Sequence, residues 1–159
     1  MKEIYPSLWI GSAEDFKAVI ESADSIDWAI VHAAKEPWHR EAVGYSSRGA
    51  PEGPERLVAR RGRRLALNLV DSVEVLFGGI VPMIAGAEFI TEHVYKREVL
   101  VHCNQGVSRA PSLGLFWLHW HADPYIRLSF DAAELAFQGI YQDYAPSDGI
   151  RQLIKEYWQ

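Results

Sequence analysis

Residues 101–112 read VHCNQGVSRAPS. They hold the only cysteine in the chain, Cys103, with Arg109 six positions later and Gly106 midway. The run before them, REVLV at 97–101, has the apolar character of a buried strand. The run after them, APSLGLFWLHW at 110–120, reads as a buried helix with a proline near its start. A strand, a tight loop over 103–109 and a helix opening near Ala110 make an anion cradle. The amides of Asn104, Gln105, Gly106, Val107, Ser108 and Arg109 can point inward, and the helix N-terminus adds positive potential. Gly106 is the residue best able to adopt a backbone conformation closed to others. The same field favours a thiolate at Cys103.

Working outward, the remaining segments alternate between strand and helix. IYPSLWIG (4–11) reads as a short first strand ending at Gly11. SAEDFKAVIES (12–22) follows as a helix, with Ser12 and Asp15 spaced as a capping box. DWAIVHA (27–33) and RLALNLV (64–70) are strand-like, and Asp71 stands just beyond the second. A long helix fits 78–96, with Pro82 in its first turn. Two closing helices fit 129–140 and 147–158, the latter capped by Ser147. This alternation predicts an α/β fold: a single-domain three-layer sandwich over 1–159, with a central, mostly parallel sheet of four to five strands flanked by helices. Ligands of such sheets sit at the carboxyl ends of strands, where both Asp71 and Cys103 fall. From Ala34 to about Gly62 the pattern dissolves into Pro, Gly, Ser and Arg. An irregular flap is expected there, with a short helix around Trp38–Val43.

Composition narrows the setting. With 159 residues, 48% of them hydrophobic and six of them tryptophan, the chain can bury one substantial core. A single cysteine excludes an internal disulfide and leaves a zinc site without its usual thiolates. No stretch reaches the length of a membrane span, and the N-terminal region has no long apolar run, so a reducing cytoplasm is the expected location. The net charge of −5 argues against a general nucleic-acid coat, although six arginines lie between Arg48 and Arg64. Such a run is either a solvated face or a basic rim for an anionic substrate. No dimer motif stands out, and a monomer is the default expectation.

HCNQGVSR at 102–109 resembles the Cys-x5-Arg signature of cysteine-dependent protein phosphatases, in the dual-specificity branch of the protein tyrosine phosphatase superfamily. IYPSLWIGSAEDF (4–16), LVD (69–71), AEFI (87–90) and AFQGIYQDYAPSDGIRQLIKEYW (136–158) are similar to that branch's opening strand and turn, general-acid strand end, long helix and closing helices. The 34–62 region matches least. The resemblance implies that Cys103 is the nucleophile and Arg109 the phosphate clamp, with the backbone of 104–109 binding phosphate. Asp71 would be the general acid and then the general base, with Glu74 as the fallback and Asp123, Asp143 and Asp148 as weaker rivals. His102 would support the thiolate, its ring bonded to main chain near the loop. Neither a metal nor an organic cofactor is implied. The implied partner is a phosphorylated protein or peptide. Alternatives are a phosphoinositide, a glycan or an RNA 5′ end, or phosphate binding without turnover.

One position departs from the pattern. The family usually carries Ser or Thr directly after the arginine, where this chain has Ala110. The missing hydroxyl implies slower hydrolysis of a phosphocysteine, unless Ser108 or Ser112 replaces it. Leu115–Leu118 read as core, and Trp38 and His39 are only weak candidates for pocket residues.

Overall fold

The computed structural model describes residues 1–22, 27–74 and 78–158. Six strands form one sheet: β1 (Lys2–Tyr5), β2 (Leu8–Gly11), β3 (Ala29–His32), β4 (Val58–Arg61), β5 (Arg64–Leu67) and β6 (Val99–His102). Their spatial order is β1-β2-β6-β3-β5-β4. The inner four are mutually parallel, and β1 and β4 run antiparallel at the two edges. The inner sheet is thus the one expected, and the two edge strands raise the count from four or five to six.

Both additions have local causes. IYPSLWIG is a hairpin rather than one strand, because Pro6 offers no amide and Ser7 turns the chain at φ 64°. β4 lies inside the segment expected to be irregular. Of its residues VARR only Ala59 is buried, so an edge strand shows no apolar run. Residues 35–39 form a wide helical turn leading into α2 (Arg40–Val43), where a short helix was expected, and 44–57 turn without a helix or strand.

Alternation of side chains across the strands separates two apolar layers. Ile30 and Leu100 face α1 (Ala13–Glu21) and pack with Phe16, Val19, Trp9, Trp28 and Trp38. Their neighbours Ala29, Val31, Val99 and Val101 face the larger core built by α3 (Val81–His93) and α4 (Arg109–His121). Outside these lie α5 (Phe130–Ile140) and α6 (Asp148–Glu156). α4 is buried along 110–119, as a central helix must be. It approaches the sheet closely at Gly114, where a Cβ would lie 2.8 Å from the end carbons of Ile4 and Ile10. No helix among the described residues is long and apolar enough to cross a membrane.

The capping box is formed as its spacing predicts. Ser12 Oγ accepts from the Asp15 amide at 3.3 Å, and Asp15 Oδ2 accepts from the Ser12 amide at 2.8 Å. Ser147 precedes α6 but makes no side-chain cap. Replacing Ser12 by Ala should lower unfolding free energy by about 1 kcal/mol, read as a reduced urea midpoint at an unchanged slope.

Candidate active site

β6 is the axis of the site. Its four residues are buried between β2 and β3, and His102 ends in register with Gly11 on one side and His32 on the other. Cys103 therefore leaves the sheet at its carboxyl edge, directly below the N-terminus of α4. The loop that follows is held by its carbonyls. Asn104 O accepts from the Ala13 amide (3.2 Å), Gly106 O from the Tyr141 hydroxyl (2.7 Å) and Val107 O from the Ala145 amide (2.8 Å). These carbonyls are tied to α1 and to residues 141–145. Of the loop amides, that of Gly106 donates to Cys103 Sγ at 3.3 Å.

Gly106 has φ 76°, and a Cβ there would lie 2.9 Å from the main-chain carbonyl of Gly11. It meets both a conformational and a steric demand that only glycine satisfies. Cys103 is 1% exposed, so its sulfur is reached only from within the loop.

Arg109 opens α4 and turns back across the loop. Its guanidinium donates to Asn104 Oδ1 (2.8 Å) and Leu69 O (3.4 Å), and its Nε lies 3.8 Å from Asp71 Oδ2. Asn104 in turn donates to Glu36 O at 3.2 Å, linking the arginine to the 35–39 turn. Composition alone had placed Asn104 only among the cradle amides; its side chain orients Arg109 as well. Asp71 is brought to the same place, its Oδ1 accepting from Ser108 Oγ at 2.7 Å. Glu74 is exposed, and among the described residues its bond is from its amide to Ser72 Oγ. Asp123 pairs with Arg127. Asp148 lies in α6, and Asp143 lines a polar cavity of about 380 Å³ on the far side of Gln105–Val107. Of the five acids, Asp71 is the one held against Arg109.

Neither candidate hydroxyl substitutes for the one absent at Ala110. Ser108 Oγ is engaged by Asp71 and by the Ser147 amide (3.1 Å), which draws it away from the sulfur. Ser112 is fully buried within α4, and among the described residues no hydroxyl donates to Cys103 Sγ. The Arg-rich run is also largely accounted for. Arg60 forms a two-pronged pair with Glu92, Arg61 pairs with Glu55 and Arg56 with Glu52. The β4–β5 turn sits at the amino end of β5, opposite the edge that carries Cys103.

Two functional neighbours escaped the sequence reading. Tyr141 holds the loop through Gly106 O, and its own pKa is pushed up to about 12 by burial and by the nearby charges of Asp143, Cys103 and Asp15. His32 meets His102, Nδ1 to Nε2, at 2.6 Å, so His102 has a side-chain partner that its expected main-chain bond did not suggest. Trp38 stacks on His32 at 5.6 Å and Phe16 stacks on His102 at 4.6 Å. The signal was present in the two strand ends, VH at 31–32 and VH at 101–102, once parallel neighbours are set in register. His39 turns elsewhere, to Glu55 O and the Tyr45 hydroxyl.

Burial is the first cause that depresses both rings. His32 falls from 6.5 to about 2, helped by the charges of His102 and Arg64. His102 falls from 6.5 to about 4, although the Cys103 main chain and Asp15 favour its charged form. The native state therefore binds fewer protons than the unfolded chain. The stability lent by the neutral pair is complete above pH 6.5 and is lost as pH falls toward those lower values. Urea unfolding should show stability falling as pH drops below about 6, with a slope shallower by about 1 kcal/mol per pH unit in His32→Asn.

No family model matches the sequence, and no curated protein is detectably similar to it. Solved structures do match. A leucine-rich repeat and phosphatase domain containing protein from Entamoeba histolytica superposes with a TM-score of 0.66 at 18% identity, over 98% of this chain and 88% of that one. DUSP15 gives 0.65 at 17% identity, over 99% and 86%. The human tyrosine phosphatase-like serine/threonine/tyrosine-interacting protein gives 0.61 at 17%, over 99% and 94%. From β1 to α6 the chain has the fold of the dual-specificity phosphatases.

Proposed function

We propose that this chain is a phosphatase that hydrolyses phosphomonoesters of protein tyrosine, and of serine and threonine, through a phosphocysteine intermediate. The observation that carries the reading is the convergence on Cys103. Its sulfur lies inside a loop whose carbonyls are tied to α1 and to residues 141–145, under a helix N-terminus, with Arg109 across the mouth and Asp71 beside Arg109. A buried thiol serving only the core needs none of these.

The chemistry follows from the geometry. A phosphoryl group entering the loop replaces Asn104 and Asp71 as the partner of the Arg109 guanidinium, whose planar fork matches two equatorial oxygens. Sγ of Cys103 attacks phosphorus while the bond to the leaving oxygen breaks, and Asp71 gives that oxygen a proton. The alcohol departs, leaving an S–P bond. Water then attacks phosphorus, the Asp71 carboxylate takes its proton, and the S–P electrons return to sulfur as phosphate leaves. Loop amides and the α4 N-terminus stabilise the charge on the equatorial oxygens in both steps.

Arg60 and Arg61, paired with Glu92 and Glu55 at the opposite end of the sheet, lend no support to a polyanionic substrate. A second reading, phosphate binding without turnover, is favoured by one observation. Ala110 is fully buried, and no described hydroxyl reaches the sulfur that must depart in the second step.

Stopped-flow hydrolysis of p-nitrophenyl phosphate between pH 5 and 8 separates these readings. The wild type should release a burst of nitrophenol followed by slower turnover, and Cys103→Ser should release none. Ala110→Ser should abolish the burst and raise steady turnover about tenfold or more, the scale of one hydrogen bond to a charged sulfur. A burst with no subsequent turnover would favour the binding reading, and no release at all would contradict the enzymatic one. Arg109→Lys should lower kcat/KM by at least about 100-fold, because an ammonium cannot hold two oxygens in one plane.

A further inference from the structure

We propose that Gly149 is a positioning residue for the general acid: its missing side chain lets the chain after Asp71 dock on the first turn of α6. This rests on the phosphatase reading above. The Asp71 side chain is substantially exposed, at 39%, and so needs its backbone fixed from elsewhere if its carboxyl is to meet a leaving oxygen. The fixing contact comes from the other end of the chain. Gly149 N–H donates to Ser72 O at 3.1 Å, and Gly149 is buried beneath residues 72–74. A Cβ at 149 would overlap the Glu74 carbonyl oxygen and lie 2.6 Å from that of Ser72. Both obstacles are main chain, which cannot swing aside as a side-chain end can.

Backbone conformation does not call for glycine here, since position 149 lies within a regular helix. Helix propensity alone would favour alanine. The close approach is what requires the glycine. A second tie lies two residues earlier. The Ser147 amide donates to Ser108 Oγ, which donates to Asp71 Oδ1, so the start of α6 contacts the acid by its backbone and by its carboxylate. Cys103 and Arg109 have ties of their own, to β6, Asn104 and Tyr141, besides the contacts that Arg109 makes with Leu69 O and Asp71.

Those separate ties provide the test. 2,4-Dinitrophenolate departs without a proton, whereas phenolate requires one, so the two aryl phosphates report Cys103–Arg109 and Asp71 independently. Gly149→Ala should lower kcat/KM on phenyl phosphate about 10- to 100-fold and leave that on 2,4-dinitrophenyl phosphate within about threefold, because kcat/KM is set by the first step and not by the phosphocysteine hydrolysis that both esters share. In an Asp71→Asn background, Gly149→Ala should cost nothing further on phenyl phosphate, as expected of two changes acting through one group. Equal losses on both esters, no loss on either, or an additive loss with Asp71→Asn would overturn the assignment. So would a variant without the wild-type circular dichroism, because Gly149 would then serve the core. If the wild type hydrolyses neither ester, the phosphatase reading falls and takes this assignment with it. A wild type active on both, with an unchanged variant, overturns this assignment alone.

Discussion

The close approach of Gly106 to Gly11 decides what the rest of the site can be. At φ 76°, with the Gly11 carbonyl 2.9 Å from where a Cβ would stand, the loop folds back over the end of β2. Its carbonyls then reach Ala13, Tyr141 and Ala145 on its outer side. Only in that arrangement are the amides free for an anion and one of them directed at Cys103. Any residue with a side chain would push the loop off β2 and reverse the peptide that the cradle depends on. The loop's shape is therefore a consequence of packing between a sheet edge and a loop.

The loop in turn gathers elements from distant parts of the chain. α1 begins at it, the 35–39 turn reaches it through Asn104, and α6 reaches it through Ser108. Beneath it lies a buried imidazole pair that stays neutral over the physiological range, since both rings are buried and face each other. Several anionic groups meet near Tyr141, which explains why its hydroxyl serves only as a donor to the loop.

Much of this was legible in the residues. Val99–Val101 are apolar throughout because β6 lies between two parallel neighbours, and the Ser12–Asp15 spacing declares the start of α1. Cys103, Gly106 and Arg109 are local in sequence and their loop is local in space, so their spacing carries their geometry. What stayed hidden depends on long-range register or on rotamers. β4 was lost because an edge strand rich in arginine has no apolar period. The pairing of Arg60 with Glu92 spans 32 residues, and that of His32 with His102 spans 70. Ser108 could be counted as a hydroxyl near the sulfur, but the direction of that hydroxyl is set by Asp71 and Ser147. Asp71 was identifiable by its place after a strand; its contact with Arg109 required the fold.

The central claim is that Cys103 carries phosphate covalently between the two steps. The direct measurement is acid quenching during turnover of a phosphotyrosyl peptide, followed by mass spectrometry of the protein and its proteolytic fragments. The account predicts one added phosphate on the fragment that contains Cys103, formed at the rate of dephosphorylation. Dephosphorylated peptide accumulating with no phosphate on the protein, or phosphate on another residue, would contradict it.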